Sequence, residues 1–307
     1  MSRPTRLVAS LVALASIAVA CGEEEPRQRG IASIPHVPVP RTDDEGIEVT
    51  LESAPERIIT FAPSHTEIVF ALGLGDRLVG VSGPFDDYPP EATTIEQVAG
   101  AGGIEPNIEK VVSLEPDIVL TGFIGGAWKD RLRELEIPVF TTLAEDLPDA
   151  IADIETIGSL LYRHAEGQEL AADLLAKTEE AEASVAGGSV TCFLDLGDLF
   201  TVGPGALEFD LLQRAGCEPI TGSADEPYPQ WSLEQLVEDD PEVYLISEGP
   251  PVEQVVKQPG IRELTAVSQD RVAEVNPDLI SRPGPRLAEG IAELAGALHP
   301  GSASDAA

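Results

Sequence analysis

The sequence predicts an α/β protein with two Rossmann-like lobes on mostly parallel sheets, a long bridging helix and a cleft between the lobes. Short β-branched runs alternate with helical patterns from Ile47 onward, which is typical of parallel sheets covered by helices. The segment from Leu147 to Ala186 instead keeps a helical spacing of apolar residues and has no strand pattern. A stretch of the first half also recurs in the second half, which indicates that both lobes share one plan.

Composition limits the kinds of partner. Of the 307 residues, 43% are hydrophobic and 24% are charged, as in a globular protein with a sizeable core. Lys and Arg number 19 against 54 Asp and Glu, so the formal net charge is −35. Because a surface this acidic repels phosphate backbones, we expect no nucleic-acid partner.

Residues 1–20 have the pattern of a secretory signal peptide. Two arginines precede an apolar run from Leu7 to Val19, which is shorter than the roughly 20 residues of a membrane-spanning helix. The sequence AVAC at residues 18–21 resembles the bacterial lipobox, in which the signal is cut and the cysteine is acylated. We therefore expect lipidation at Cys21, with ordinary cleavage beside an incidental cysteine as the alternative.

The remaining chain is divided by composition. Residues 21–46 lack apolar periodicity and are expected to form the lipidated N-terminus and a flexible tether. The folded part is then extracytoplasmic, periplasmic or at the cell surface, and touches the membrane only through its lipid anchor. The expected divisions are a first lobe at 47–146, a helical linker at 147–186, a second lobe at 187–300 and a flexible tail at 301–307.

Seven short runs are predicted as strands, four in the first lobe and three in the second. They are rich in Val, Ile, Leu and Thr. In the linker, helical spacing predicts two consecutive helices, the second being the long bridging helix. The predicted strands are Arg57–Ala62, Leu78–Ser82, Asp117–Thr121, Pro138–Thr142, Val190–Leu196, Glu242–Ser247 and Arg271–Val275.

One segment is repeated between the lobes. Residues 107–120 align without gaps on residues 232–245, at a constant offset of 125. In each copy an N-cap residue, Asn107 or Ser232, opens a short helix, a proline stops it and an apolar strand follows. The identical pairs are Glu109/Glu234, Val112/Val237, Pro116/Pro241 and Leu120/Leu245.

The repeated glutamates have two explanations. Each is the second helical residue after its cap, where a carboxylate stabilises the positive helix end by about 0.3–1 kcal/mol. Alternatively, Glu109 and Glu234 offer one carboxylate per lobe to a two-fold symmetric membrane partner with a basic pocket on each subunit. The residues alone leave both explanations open.

Nine segments carry a family resemblance. They are 57–75 (RIITFAPSHTEIVFALGLG), 79–81 (VGV), 87–90 (DYPP), 107–109 (NIE), 115–117 (EPD), 203–205 (GPG), 226–230 (EPYPQ), 232–234 (SLE) and 276–286 (NPDLISRPGPR). The chain resembles the helical-backbone substrate-binding proteins of bacterial ABC importers, which bind cobalamin, ferric siderophores or haem, and it is closest to the cobalamin-binding members. The resemblance implies a monomer that captures a metal-chelate small molecule, with an ABC permease dimer and its ATPase as partner. It also implies that Glu109 and Glu234 dock onto the permease.

Loops at the carboxyl ends of the strands hold the candidate ligand contacts. Open α/β sheets bind ligands there, and a large flat macrocycle suits the aromatic residues Phe85, Tyr88, Tyr228 and Trp231. By resemblance, Phe85 and Tyr228 stand where the cobalamin binders have ligand-contacting aromatics. A further aromatic of those binders has no counterpart in residues 101–104, where Ile104 is assigned to the ligand instead.

Polar residues complete the candidate site. Arg282 is expected to pair with peripheral carboxylates or amide oxygens of the ligand, whereas Arg286 fits a ligand contact or a helix-start salt bridge equally well. Ser64 and Glu67 have the spacing of a capping box at the start of the first helix. His65 is expected to face the cleft, either solvated or hydrogen-bonded, or in contact with the ligand or its metal. Both Ser64 and His65, at the start of this helix, are counted among the expected ligand-binding residues.

No protein-bound metal and no cofactor are predicted. The four histidines form no spaced cluster with Cys or Asp, which argues against transport of a bare metal ion. In an oxidising compartment Cys192 and Cys217 are expected to form a disulfide, with free buried thiols as the alternative.

Enzyme signatures are absent from the sequence. It contains no Gly-x-Ser-x-Gly elbow, no phosphate loop ending in Gly-Lys-Ser/Thr and no His-Glu-x-x-His. We expect a non-enzymatic lipoprotein that captures a metal chelate, with cobalamin or another corrinoid favoured, and delivers it to the permease. A ferric-siderophore or haem binding protein of the same fold is the alternative, and an extracellular hydrolase or lyase is a more remote one.

Overall fold

The computed structural model describes residues 38–100, 105–123, 125–185 and 188–300. The predicted signal peptide, the lipidation site Cys21, the ligand contact Ile104 and the tail at 301–307 lie outside the described residues. Within those four ranges, no helix combines the length and the apolar character that crossing a membrane would require.

The described residues form ten strands, eight of which build two parallel sheets. The strands are β1 (Arg41–Thr42), β2 (Glu48–Val49), β3 (Ile58–Phe61), β4 (Leu78–Gly80), β5 (Ile118–Thr121), β6 (Val139–Thr141), β7 (Val190–Asp195), β8 (Cys217–Pro219), β9 (Val243–Ile246) and β10 (Val272–Glu274). The order is β4–β3–β5–β6 in the first lobe and β8–β7–β9–β10 in the second, with every pair parallel. If the strands of each lobe are numbered from one to four along the chain, their order across the sheet is 2–1–3–4 in both lobes. The predicted α/β class with two parallel-sheet lobes is confirmed.

Helices cover both sheets and link the lobes. Short 3-10 turns add Gly75–Arg77, Pro90–Thr94 and Ile261–Glu263. The α-helices in the described ranges are α1 (Pro63–Ala71), α2 (Ile108–Ser113), α3 (Ala127–Glu134), α4 (Leu147–Leu160), α5 (His164–Ala183), α6 (Leu207–Arg214), α7 (Leu233–Asp239), α8 (Val252–Val255), α9 (Thr265–Ser268), α10 (Pro277–Ile280) and α11 (Leu287–Leu298).

The repeat has the same local structure in both lobes. The Asn107 side chain accepts a hydrogen bond from the Lys110 N–H, and the Ser232 hydroxyl accepts one from the Gln235 N–H, each at 3.1 Å. These caps open α2 and α7, which lead into β5 and β9 at the same offset of 125. The two lobes are therefore built on one plan.

The linker consists of two helices, as the periodicity predicts. α5 has 20 residues and spans about 30 Å. It packs closely on α4 because glycines face each other: a Cβ on Gly158 would lie 2.7 Å from the Cα of Gly167.

One hydrophobic cluster runs through the first lobe, the linker and the second lobe. It includes Leu120 of β5, Ile154 and Leu174 of the linker helices, Leu245 of β9 and Leu294 of α11, all buried. Two smaller clusters lie on the other face of each sheet, one per lobe. Because the main core is continuous, the two lobes are joined by packing as well as by chain connectivity.

The range predicted as a tether, residues 21–46, overlaps the folded part, because residues 41–49 form the antiparallel β1–β2 hairpin. Asp43 is buried and accepts a hydrogen bond from the Thr141 N–H at 3.2 Å. Glu45 pairs with the buried Lys129 at 2.9 Å. Partial burial would raise the pKa of Glu45, but hydrogen bonds from the Gly125 N–H and from Lys129 outweigh it and lower that pKa to about 2. Paired charges hold this hairpin, so a search for apolar periodicity misses it.

The second lobe contains the disulfide between Cys192 and Cys217, whose Cα atoms are 5.9 Å apart. The two cysteines lie on the neighbouring parallel strands β7 and β8. The sequence pattern does not predict β8, because Glu218 and Pro219 are poor strand formers and leave a run of only three residues.

Candidate functional site

The carboxyl ends of both sheets meet at the boundary between the lobes. Arg282, which follows β10 in the second lobe, donates to the Phe85 carbonyl oxygen at 2.9 Å and to Glu67 Oε1 at 3.2 Å in the first lobe. Glu67 and Phe85 follow β3 and β4. We call the loops 82–87, 122–123, 197–205 and 227–230 the interlobe face, because they come after strands of both lobes at this boundary.

Exposed aromatic side chains concentrate on the interlobe face. Phe85 is 73% exposed and Phe123 is 49% exposed in the first lobe, and Phe200 and Tyr228 are 41% and 44% exposed in the second. The rings of Phe200 and Tyr228 stack with centroids 6.3 Å apart and 22° between their planes. Sequence reasoning missed Phe123 and Phe200, although both follow predicted strands within a few residues, which is the signal that could have found them.

Tyr228 is anchored from below by a buried acid. Its hydroxyl donates to Glu208 Oε2 at 3.2 Å, and Glu208 lies in the first turn of α6. Burial raises the pKa of the Glu208 carboxyl. Burial and the nearby Glu208 raise the pKa of the Tyr228 phenol, so this phenol stays protonated and remains a donor to Glu208.

Tyr88 is partly exposed but lines a different space. Its ring lies over the guanidinium of Arg286, 4.0 Å from ring centroid to Cζ. Together with Phe70 and Leu170 these residues line a cavity of 520 Å³ beside α1, α5 and α11. The two aromatic residues after β4 therefore lie in different places. Phe85 is on the interlobe face, and Tyr88 lines the cavity beside α1, α5 and α11.

A buried ion-pair cluster joins the lobes and corrects the expectation for Arg282. Glu67 of α1 accepts two hydrogen bonds from Arg286, at 2.6 and 2.8 Å, and a third from Arg282. Arg282 also pairs with Asp278 at 2.5 Å and Asp87 at 3.3 Å. Because these carboxylates already satisfy the Arg282 guanidinium, that group is not free for a ligand. Arg286 matches the salt-bridge reading.

The predicted capping box at Ser64 and Glu67 is wrong. α1 begins at Pro63, its N-cap is Ala62 and no side chain caps it. Proline at the first helical position sets this earlier start, since its missing N–H needs no partner there. Ser64 is buried, with its hydroxyl 3.4 Å from His65 Nδ1, and Glu67 belongs to the ion-pair cluster.

His65 does not reach the interlobe face as an exposed group. It is buried, and its Nε2 is hydrogen-bonded to the Thr142 hydroxyl at 2.9 Å. Burial lowers the pKa of His65 to about 4, so the ring is neutral at physiological pH. Of the expected roles, the structure shows the hydrogen-bonded histidine.

Trp231 is buried in the second lobe, contrary to its expected place among the ligand contacts. It directly precedes the N-cap Ser232 and lies in one cluster with Leu236, the fourth residue of α7. This pairing is a hydrophobic staple, which fixes the entry of the chain into the helix.

Glu109 and Glu234 are both exposed and occupy the second positions of α2 and α7. No other described residue forms an ion pair or side-chain hydrogen bond with either carboxylate. Separately, the ranges that the structure describes contain no group of three His, Cys, Asp or Glu side chains arranged to hold a metal ion.

Comparisons with known proteins agree with this architecture. Residues 58–279 match the family model described as periplasmic binding protein. An uncharacterized ABC transporter substrate-binding lipoprotein of Bacillus subtilis, YvrC, is 33% identical over 281 residues, covering 86% of each chain. A cobalamin-binding protein of Halobacterium salinarum is 30% identical over 307 residues, covering 95% of this chain and 83% of that relative. The crystal structure of the periplasmic vitamin B12 binding protein BtuF of Vibrio cholerae matches with a TM-score of 0.68 and 29% identity, over 80% of this chain and 97% of that chain.

The family match covers most of the chain, and the relatives are binding proteins for transport, not enzymes. The resemblance inferred from the sequence is thus confirmed, and the hydrolase or lyase alternative is set aside. The chain belongs to the periplasmic binding protein family and is an ABC transporter substrate-binding protein of the cobalamin, siderophore and haem type.

Proposed function

We propose that this protein captures a corrinoid such as cobalamin between its lobes and delivers it to an ABC permease dimer with its ATPase. The observation that carries the proposal is the set of exposed aromatic rings on both sides of the interlobe face. Such rings bind a large flat ligand through its apolar faces, with no covalent step and no metal ligand from the protein. The naming of relatives for cobalamin and vitamin B12 supports the same ligand class.

The second lobe supports the proposal through preorganisation. Tyr228 is stacked on Phe200 and hydrogen-bonded to Glu208, so its ring is held before any ligand arrives. A side chain that is already fixed loses little conformational entropy on binding, which favours affinity. Phe85 and Phe123 would cover the opposite side of the ligand from the first lobe.

Delivery and location complete the proposal. Glu109 and Glu234 dock onto a basic pocket on each permease subunit, since they occupy equivalent positions of the repeat, are exposed and have no ion-pair partner among the described residues. A signal peptide directs the chain out of the cytoplasm, and acylated Cys21 anchors it to the membrane. The name of the Bacillus subtilis relative, a lipoprotein, supports this anchor.

Calorimetric titration of the purified protein with cyanocobalamin, haemin and ferrichrome tests the ligand class. We expect cyanocobalamin to bind most tightly, and Phe200→Ala or Tyr228→Ala to weaken it about tenfold each through loss of aromatic contact, about 1.4 kcal/mol. Leu135→Ala is the matched control, because Leu135 is an exposed apolar residue at the end of α3 and away from the interlobe face.

The outcomes separate the candidates. If haemin or ferrichrome bound more tightly than cyanocobalamin, the corrinoid proposal would be wrong. The alternative of a haem or ferric-siderophore binding protein of the same fold would then be favoured. Unchanged cyanocobalamin affinity in both aromatic variants would contradict the assignment of the interlobe face.

A further inference from the structure

The four identical pairs in the repeat have different structural roles. Leu120 and Leu245 are fully buried in β5 and β9. The two prolines are also buried and follow the ends of α2 and α7, where proline prevents the helix from continuing. Fold and core packing therefore explain these two pairs, and leave the glutamates and Val112/Val237 to be explained by something else.

The paired valines point away from the core. Val112 is 37% exposed and Val237 is 39% exposed, whereas the preceding residues, Val111 and Leu236, are fully buried. Valine is a weaker helix former than most polar residues with straight side chains, because its branched Cβ restricts the side chain in a helix. Neither core packing nor helix formation accounts for valine at this exposed position in both lobes.

Each valine shares a helix face with a docking glutamate. Val112 follows Glu109 by three residues and Val237 follows Glu234 by three residues, so the two side chains of each pair are neighbours on the helix surface. A single exposed valine would need no explanation. The same exposed pair at equivalent positions of two lobes is a repeated surface.

We propose that Val112 and Val237 are permease-docking residues, each inserted against an apolar wall beside the basic pocket that receives the neighbouring glutamate. This rests on the proposed function, in which Glu109 and Glu234 dock onto the permease. An exposed carboxylate selects a cationic pocket, and a chain with a net charge of −35 repels acidic surfaces. Two contact sites of identical composition on equivalent helices fit a two-fold symmetric dimer, because each subunit offers the same receiving surface.

The two members of each pair do different work in docking. The carboxylate attracts its partner over a distance that salt shortens, about 8 Å at physiological ionic strength. The valine contributes only after water leaves the contact, and salt does not screen that contribution as it screens the attraction between charges. Salt dependence therefore distinguishes the role of the valines from that of the glutamates.

The experiment measures binding of the full protein to its cognate permease–ATPase complex in nanodiscs across a range of salt concentrations. Val112→Thr and Val237→Thr keep the branched shape but make the contact polar. We expect each to weaken docking about threefold to fivefold and the double variant about tenfold or more, with the slope of affinity against salt unchanged. Melting temperature and cyanocobalamin affinity should stay at the wild-type values.

Two control variants distinguish a failure of the valine inference from a failure of the proposed docking. Leu175→Thr changes an exposed apolar residue of α5 and should leave docking unchanged. Glu109→Gln/Glu234→Gln should weaken docking and flatten its salt dependence. If the glutamate variant docks more weakly while the valine variants dock like wild type, the inference about the valines is wrong. The proposed docking through Glu109 and Glu234 is then still supported. If the glutamate variant also docks normally, the proposed docking fails and the inference fails with it. If only one of the two valine variants weakened docking, the inference that both valines contact a two-fold symmetric partner would be wrong.

Discussion

At the residue scale, Asp153 is a carboxyl group placed where its charge is disfavoured. It lies on α4, near the end of β6 and the turn of the β1–β2 hairpin. Burial raises its pKa to about 7, with further contributions from Asp44 and Asp149, while a hydrogen bond with Thr142 opposes the rise. Thr142 also bonds His65, so a buried polar network connects the start of α1 to the linker.

The sign of the pH effect follows from the raised pKa. Between about pH 4 and pH 7 the folded protein retains a proton on Asp153 that the unfolded chain has released, so this group's contribution to stability falls as pH rises. We expect Asp153→Asn to raise the free energy of unfolding at pH 8 by about 1–2 kcal/mol, allowing for partial solvent screening, and to change it little near pH 4. Denaturant unfolding at the two pH values measures this.

Glu155→Gln is the matched control for Asp153, because it removes an exposed carboxylate from the same helix. His65 titrates in the same acidic range but is present in every variant, so its effect cancels in the comparison. Equal stabilisation of Asp153→Asn at both pH values would contradict the assignment of a raised pKa.

The site residues show how far residue patterns reach. Phe85 and Tyr228 are placed on the interlobe face by strand order alone, since loops at the carboxyl ends of strands are exposed there. Trp231 and Arg282 have the same sequence position relative to strands, but each has an internal partner elsewhere in the chain. A sequence pattern gives the loop in which a residue lies, whereas long-range partners such as Glu67 decide where its side chain points.

At the scale of elements, the contact between α4 and α5 depends on two glycines. A Cβ at position 158 would lie 2.7 Å from the Gly167 Cα and 3.0 Å from the Arg163 carbonyl oxygen. Because these are backbone atoms, the helices must separate to admit any side chain. The bridging helix α5 can therefore lie this close to α4 only because both residues at the contact, Gly158 and Gly167, lack a side chain.

We therefore expect Gly158→Ala to destabilise the protein by about 1–3 kcal/mol, although alanine is the better helix former by about 1 kcal/mol. Gly296→Ala is the matched control, since Gly296 is an exposed glycine of α11 with open space around its Cβ position. It should stabilise the protein by up to about 1 kcal/mol. Thermal unfolding of both variants measures the contrast, and a stable Gly158→Ala variant would show that the helices do not pack this closely.

The accuracy of the element predictions depends on apolar content. All seven predicted strands are present, within a residue or two of their predicted ends, because buried parallel strands are continuous apolar runs. The hairpin at residues 41–49 and the strand β8 are missed because charged and proline residues form them through specific partners. The start of α1 is misplaced because proline opened the helix where a side-chain cap was expected.

At the scale of the whole molecule, two features resist movement between the lobes. The main hydrophobic core passes through both lobes and the linker, and the Glu67 cluster ties α1 to the segment before α11. Opening the boundary would separate Glu67 from Arg282 and Arg286, its ion-pair partners among the described residues. We therefore expect ligand entry to occur with little rearrangement of the lobes.

Small-angle scattering with and without cyanocobalamin tests this rigidity. We expect the radius of gyration to change by less than about 1 Å, as in complexes of preorganised partners. Glu67→Gln should loosen the boundary and enlarge the change, whereas Asp173→Asn, which removes an exposed ion pair with Lys177 on α5, should not. A large closure of the wild-type protein would contradict the inference that the core and the cluster hold the lobes.

The duplicated strand order puts α2 and α7 at equivalent places in the two lobes. If Glu109 and Glu234 dock as proposed, a half-turn of the molecule would exchange these two helices before a two-fold symmetric partner. Either orientation would then allow engagement, so fewer encounters would be lost to wrong orientation.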